Sequence, residues 1–359
     1  MNHNVFHLFL IGFGAAAGVW LLCYPVRVAL ARSSIIDRPN QRSSHSRPTP
    51  RGGGIAIMLV LLLVVAGDGG LRRGQPAVLA TLLSAAALLA VVSFVDDLRS
   101  LPARLRFGCH GLAAVAALVV LKVTGLRLVV DSGGFPWPAM ALVWLLGFLW
   151  IVGYTNAFNF MDGINGLAAG QAIVTGFGMA LLGLVASAQW SVVSPPVLLS
   201  LVIAGAALGF MPHNFPKARI FMGDVGSASV GFLLAALVLW IARDYGWWLL
   251  IPLGLLHANF VLDTGVTLAR RILRGERWHE AHREHFYQRL IRSGKSHPFV
   301  TGLEMTLEGV VLGLMVLYLH ASVPVRVGLI ALVILVWLVF FAYCERLFLR
   351  SNFEQKLTC

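Results

Sequence analysis

Three carboxylate-bearing stretches and two basic loops carry the residue types that could do chemistry. Ser93-Phe94-Val95-Asp96-Asp97-Leu98 closes an apolar run with adjacent acids. Successive helical residues point about 100° apart, so these two cannot chelate one ion symmetrically; one faces a site while the other orients a partner or an ion. In the segment from Asn156 to Leu167, the polar residues Asn156, Asn159, Asp162 and Asn165 recur at every third position. That spacing lines one flank of a helix, and Gly163 and Gly166 then free the backbone for close approach to a ligand. Phe221-Met222-Gly223-Asp224-Val225-Gly226-Ser227 sets a further carboxylate between glycines. The plain structural alternative there is an N-cap at Asp224 for the helix that follows.

The basic stretches run from Asp37 to Gly54, with His45, Arg47 and Arg51 ahead of three glycines, and from Trp278 to His297, with His282, Arg283 and His285. His282 and His285 stand three apart, but no cysteine or dedicated carboxylate lies at a familiar zinc spacing. Imidazole and guanidinium groups beside several aspartates fit phosphate binding better. Oxygen ligands for a hard cation together with a ring of anion donors are what phosphoryl transfer needs. A GxxxxGK[ST] segment is missing, which disfavours an ATP-driven pump.

The elements that must position these residues are membrane spans. Of 359 residues, 58% are hydrophobic and 12% charged, against about 25% charged in soluble domains. Apolar runs predict eleven spans, near 5–26, 52–67, 76–95, 107–124, 137–156, 166–187, 196–212, 224–242, 246–269, 301–320 and 324–343. The first has no basic residue ahead of it and Arg27 and Arg32 behind it, which argues for a retained span with its N-terminus outside. With that start, 22 of the 28 Lys and Arg residues fall in inside segments, as the positive-inside tendency requires. Every polar cluster then lies at the same, cytosolic face. The net charge of +12 is thus explained by topology and not by nucleic acid. The expected fold is all-α: one polytopic helix-bundle domain over residues 1–359, C-terminus cytosolic, with active-site loops near 32–54, 96–106, 157–166, 213–227 and 270–300. Cys23, Cys109, Cys344 and Cys359 are scattered without a CxxC pair and read as free thiols.

On these residues the chain resembles the polyprenyl-phosphate N-acetylhexosamine-1-phosphate transferases, from about Asp37 to His297. The shared motifs, in the family's order, are the DxPNxRxxH…PTPRGGG loop, the paired aspartates, NxxNxxDGxNGL and FMGDxGS. The overall look is nearest the subgroup that starts O-antigen chains in lipopolysaccharide. The resemblance implies Asp224 as principal magnesium ligand, with Asn159 as a second and manganese as a substitute metal. Asp96 and Asp97 match the essential acidic pair, and Asp162 lies in the catalytic asparagine–aspartate motif. Arg106 and Asn156 match positions at the substrate's phosphates and the site wall. Phe221 matches an aromatic that stacks on uracil, Gly163 and Asn165 lie where the base edge is read, and His45 and Arg51 line the site from the first loop. Relatives commonly carry HxHH in the late loop; His285 aligns with its first member, whereas Tyr287 and Gln288 fill the other two places. His285 keeps a phosphate role, with His282 and Arg283 beside it.

The implied reaction moves a sugar 1-phosphate from a UDP-N-acetylhexosamine to undecaprenyl or another polyprenyl phosphate in the inner leaflet of a bacterial inner membrane, releasing UMP. A phosphate's second pKa near 6 leaves little need for base catalysis, so positioning and charge neutralisation should dominate. Two rivals remain: a phospho-MurNAc-pentapeptide translocase, disfavoured by the missing histidine cluster, and an ion-coupled transporter, disfavoured because the acids gather at one face instead of mid-span. The sequence leaves the sugar, a covalent intermediate and the oligomeric state, homodimer included, open.

Overall fold

The structure, a computed structural model, describes residues 3–33, 35–39, 47–72, 74–99, 101–123, 137–187, 193–277 and 282–358. Its helices follow the apolar runs. They are α1 (His3–Arg32), α2 (Gly54–Gly67), the short α3 (Gly69–Arg72), α4 (Pro76–Arg99), α5 (Ala103–Val123), α6 (Trp137–Met161), α7 (Leu167–Ser187) and α8 (Pro195–Asn214). After these come α9 (Gly223–Tyr245), α10 (Leu250–Leu255), α11 (Ala258–Leu273), α12 (Phe286–Arg292), α13 (His297–His320) and α14 (Val323–Thr358). Two two-residue strands, β1 (Ile36–Asp37) and β2 (Thr49–Pro50), pair antiparallel in the first loop.

Among the described residues nine helices are long and apolar enough to cross a bilayer, so the all-α, polytopic expectation holds. Two of the eleven expected spans differ. The run near 246–269 is not one straight helix: it breaks between Leu255 and Ala258 and bends by 72°. The run near 52–67 becomes the 14-residue α2, which at about 1.5 Å per residue is short of a ~30 Å hydrocarbon core.

Helix α9 forms the centre of the bundle. Nearly all of it is buried, from Gly223 to Ala242, and α2, α4, α6, α7 and α8 pack round it. Small residues permit that density. At the α1–α8 crossing, a Cβ added to Gly205 or Gly209 would fall about 2 Å from the α1 carbonyls of Gly12 and Ala16. The outer surfaces of α1 and α14 expose Phe9, Phe13, Leu335 and Val339, which are the residues to leave in contact with lipid when backbone polar groups are satisfied inside each helix. Short α12 is fastened to α14 by Phe286 stacking on Phe341 at 4.2 Å and by Arg289 Nη1 on Glu345 Oε2 at 2.7 Å.

Candidate active site

Four helix ends and the first loop meet at one end of the bundle. The segment Arg51–Gly54 lies along Phe221–Gly226: the amides of Gly52 and Gly53 donate to Phe221 O, and that of Gly54 donates to Met222 O. Gly54 and Gly226 touch backbone to backbone, since a Cβ on Gly54 would sit 2.1 Å from Gly226 N. Gly223 turns the chain at φ +69° just under Arg51, a conformation that costs glycine little.

This docking delivers Arg51 to the carboxylates. Its guanidinium pairs with Asp224 at the start of α9, and its Nη1 lies 3.4 Å from Asp97 Oδ1 in the last turn of α4. Asp37 and Asp162 add to its negative surroundings, and together these charges more than offset its burial and raise its already high pKa. The cap position of α9 is Met222, without a side-chain cap bond, so the alternative role of Asp224 as an N-cap is not the one it fills. Asp96 faces the other way from Asp97: its carboxylate takes the amide of Leu101 at 2.6 Å and Arg106 Nη1 at 2.8 Å. The adjacent acids therefore divide as their helical spacing dictates, one toward Arg51 and one orienting Arg106.

Asp162, in the turn after α6, is half-buried. Burial first, then the Asp224 and Asp97 carboxylates, push its pKa up to about 8, opposed by Arg51 and by a hydrogen bond from the Gly223 amide. Asn159 accepts a 2.6 Å bond from the Ser227 hydroxyl, one helical turn beyond Asp224. Asn156 bonds to Val152 O at 2.7 Å and to the side chain of His110 on α5. The amide of Asn165 is spent on the neighbouring loop, Nδ2 donating to Pro216 O at 3.0 Å. Gly163 is covered by Tyr287, whose hydroxyl donates to Phe160 O at 3.1 Å; a Cβ at 163 would lie 1.9 Å from that hydroxyl. Phe221 is held through its backbone, with its amide on Pro50 O.

The late loop reaches the same end through α12. His285 is 4% exposed and its Nδ1 is 2.9 Å from Asp263 Oδ1 on α11. His282 stands beside it, rings 4.9 Å apart. Burial, with His285 and Arg271 nearby, pushes the His282 pKa down to about 4, so it meets an anion as a neutral ring and not as a cation. Arg283 offers its carbonyl to Arg292 at 3.2 Å. His45 lies outside the described residues.

Thus Asp97, Asp162, Asp224 and Arg51 come together, Asp96 with Arg106 and Asn159 with Ser227 adjoin them, and His285 joins through Tyr287 and Gly163. Three further residues enter unforeseen: His110, Asp263 and Tyr287. For the first two the signal was a titratable residue inside an apolar run, costly in a membrane and therefore purposeful. An apolar cavity of about 380 Å³, lined by Leu118, Trp144, Gly147, Trp150, Leu239 and Trp247, sits toward the opposite ends of α5, α6 and α9 and does not touch this chemistry.

A membrane helix bundle that gathers aspartates round a guanidinium, with histidines alongside, has the charge pattern of an enzyme that handles phosphate-bearing groups. The profile of glycosyl transferase family 4 matches residues 79–242. The chain is 33% identical over 316 residues, 81% of its length and 77% of the relative's, to the decaprenyl-phosphate N-acetylglucosaminephosphotransferase of Mycobacterium tuberculosis. It is 30% identical over 276 residues, 76% and 73% of the two chains, to a probable undecaprenyl-phosphate N-acetylglucosaminyl 1-phosphate transferase of Bacillus subtilis. A phospho-N-acetylmuramoyl-pentapeptide-transferase of Synechococcus sp. is 34% identical over 261 residues, 68% and 70%. The chain belongs to glycosyl transferase family 4, the polyprenyl-phosphate hexosamine-1-phosphate transferases, and is an integral membrane sugar-phosphate transferase.

Proposed function

We propose that this protein transfers an N-acetylhexosamine 1-phosphate from a UDP-sugar to undecaprenyl or another polyprenyl phosphate, releasing UMP and starting a lipid-linked glycan such as O-antigen. The observation that carries the reading is the convergence of Asp97, Asp162 and Asp224 on Arg51, from segments more than a hundred residues apart in places. The 22-to-6 split of basic residues supports a cytosolic face and an inner-membrane setting.

The donor set fits magnesium. A hard cation of this kind takes one or two carboxylates and fills its remaining positions with water and substrate phosphate; Asp224 would supply the carboxylate and Asn159 a neutral amide oxygen, which Ser227 orients. Bound there, it would neutralise charge on the diphosphate. The pairing of Arg51 with Asp224 and Asp97 supports a site that draws positive charge.

In the reaction, an oxygen of the lipid phosphate attacks the phosphorus bonded to the sugar, the P–O bond to UMP breaks, and UMP carries away the displaced electron pair. Arg51 and Arg106 hold phosphate oxygens, the latter aimed by Asp96. Orienting the nucleophile and accepting any residual proton, a role for which the sequence pointed to Asp96, falls to Asp97, because the Asp96 carboxylate is taken by the Leu101 amide and Arg106. His285 supports the phosphate from the late loop. Phe221 and the loop holding Gly163 and Asn165 receive the base; because Asn165 Nδ2 is bonded to Pro216 O, its remaining oxygen is the group that can accept from uracil.

The test uses membrane vesicles with labelled UDP-sugars, UDP-GlcNAc, UDP-GalNAc and 6-deoxy analogues in parallel, plus polyprenyl phosphate. Organic-extractable label with released UMP, lost on chelation and restored by magnesium, is expected. Label in the lumen without new lipid would instead establish a transporter, and lipid formed only from UDP-MurNAc-pentapeptide would establish the translocase. Label trapped on protein without lipid acceptor would replace the one-step displacement by an aspartyl-phosphate route.

A further inference from the structure

Asp263 is fully buried on α11, whose inward face also carries Asn259, Thr267 and Arg271, and its carboxylate accepts three hydrogen bonds. Oδ1 receives His285 Nδ1 at 2.9 Å and the Thr267 hydroxyl at 3.2 Å, while Oδ2 receives the Phe286 amide at 2.9 Å. One side chain thus caps the first turn of α12 and grips the imidazole that precedes it. A carboxylate is acceptor-only, so the ring must place its Nδ1 proton toward Asp263. In the neutral ring the lone pair is then on Nε2.

The rest of the packing fixes where that second nitrogen works. The His285 ring lies parallel to Tyr287 at 5.9 Å and beside Phe160 at 6.4 Å. Tyr287 in turn is bonded to Phe160 O and seated on Gly163. The imidazole is therefore held between α11 on one edge and the Asp162 turn on the other.

We infer that Asp263 is a positioning residue of the active site: it sets the tautomer and orientation of His285 so that Nε2 is presented to the phosphates. The inference rests on the transferase reading for its functional part, but its structural part does not. The same logic of a buried acid holding a working imidazole recurs in hydrolytic triads, where the acid fixes the tautomer without touching substrate.

The experiment is twofold. In purified protein carrying ¹⁵N-labelled histidine, with the His285 resonance assigned by its loss in His285→Gln, the wild-type ring should show its proton on Nδ1 and an unprotonated Nε2. A neutral ring with the proton on Nε2 would overturn the proposal, and this readout needs no turnover. In the transfer assay, Asp263→Asn should lower kcat about 10- to 100-fold, below the ~10²–10⁴ lost with an acid–base group itself because Asp263 acts through His285, with KM changed less than threefold. In a His285→Gln background the same substitution should cost less than threefold more. An equal loss in both backgrounds, or a rise in KM alone, would show that Asp263 serves only to cap α12. Should Asp263→Asn fail to fold, Thr267→Val, which removes one donor to Asp263, serves instead: a severalfold loss of kcat in wild type that disappears in the His285→Gln background supports the proposal, and an identical loss in both rejects it.

Discussion

Two polar regions of this molecule solve the problem of charge in an apolar bundle in opposite ways. Around Arg51 the acids are gathered from α4, the turn after α6, and α9, and held by a guanidinium that is itself 35% exposed. Behind α11, Glu304 and Glu308 are 0% exposed. Glu304 accepts from Asn259 Nδ2 at 2.7 Å, and Gln171 lies against both Glu308 and Tyr154. The first region is charged, reachable and counterbalanced by a cation; the second sets its acids beside carboxamides with no cation among the described residues, away from the surface. Acidity alone therefore does not mark a site; access and a convergent cation do. Asp263 stands between the two regions, buried like the second and linked to the first.

Substitutions can break this contrast in order of effect. Asp224→Asn should reduce transfer by about 10³-fold or more, as loss of a metal-holding or charge-stabilising group does, with membrane insertion unchanged in a protease-accessibility assay; wild-type rates with magnesium present would remove Asp224 from the metal. Arg51→Met should follow at about 10²-fold in the same assay, since it leaves Asp97 and Asp224 facing each other without their cation. Gly163→Ala forces a methyl onto the Tyr287 hydroxyl and should cost about tenfold in activity and several degrees in Tm through overpacking of ~1–3 kcal/mol. Adding Tyr287→Phe should restore part of both, and no restoration would show that the contact is not the cause.

Glu308→Gln sharpens the comparison from the other side. It swaps a buried acid for a near-isosteric amide, so activity should stay within about twofold and Tm should hold or rise, because replacing a buried ionisable group without breaking a pair is often neutral or stabilising. A collapse of activity would join that interior region to the site. The smallest effect concerns His282. Its folded pKa of about 4 lies below the ~6.5 of an unfolded histidine, so the unfolded chain binds the extra proton and stability falls as pH drops from 6.5 toward 4. His282→Asn should flatten that part of a Tm-against-pH curve.

Much of the architecture was legible because apolar runs and basic loops are one-dimensional signals. The positions of Asp96, Asp97, Asp162 and Asp224 at helix ends could be read from where each run stopped. The role of Arg51 could not, since nothing local says that it will meet Asp224, 173 residues later in the chain. The bend in the 246–269 run had a signal in Pro252, Gly254, His257 and Asn259, which interrupt the apolar stretch, but its angle did not: Gln171 Nε2 on α7 donates to Leu256 O at 3.0 Å, and His257 bonds locally to Leu253 O at 2.9 Å. Asp263, His110, Glu304 and Glu308 were visible as misplaced polarity, yet only packing separates Asp263 and His110, which bond to His285 and Asn156, from Glu304 and Glu308, which lie in the interior.

The abutment of Gly54 on Gly226 has a consequence for how substrate gets in. With no side chain between the two backbones, and three amides of the Gly52–Gly54 turn spent on Phe221 and Met222, the wall that carries Arg51 and the wall that carries Asp224 move as one piece. Any widening that admits substrate is therefore expected on the opposite side, where α12 is pinned to the rest of the protein chiefly by side chains.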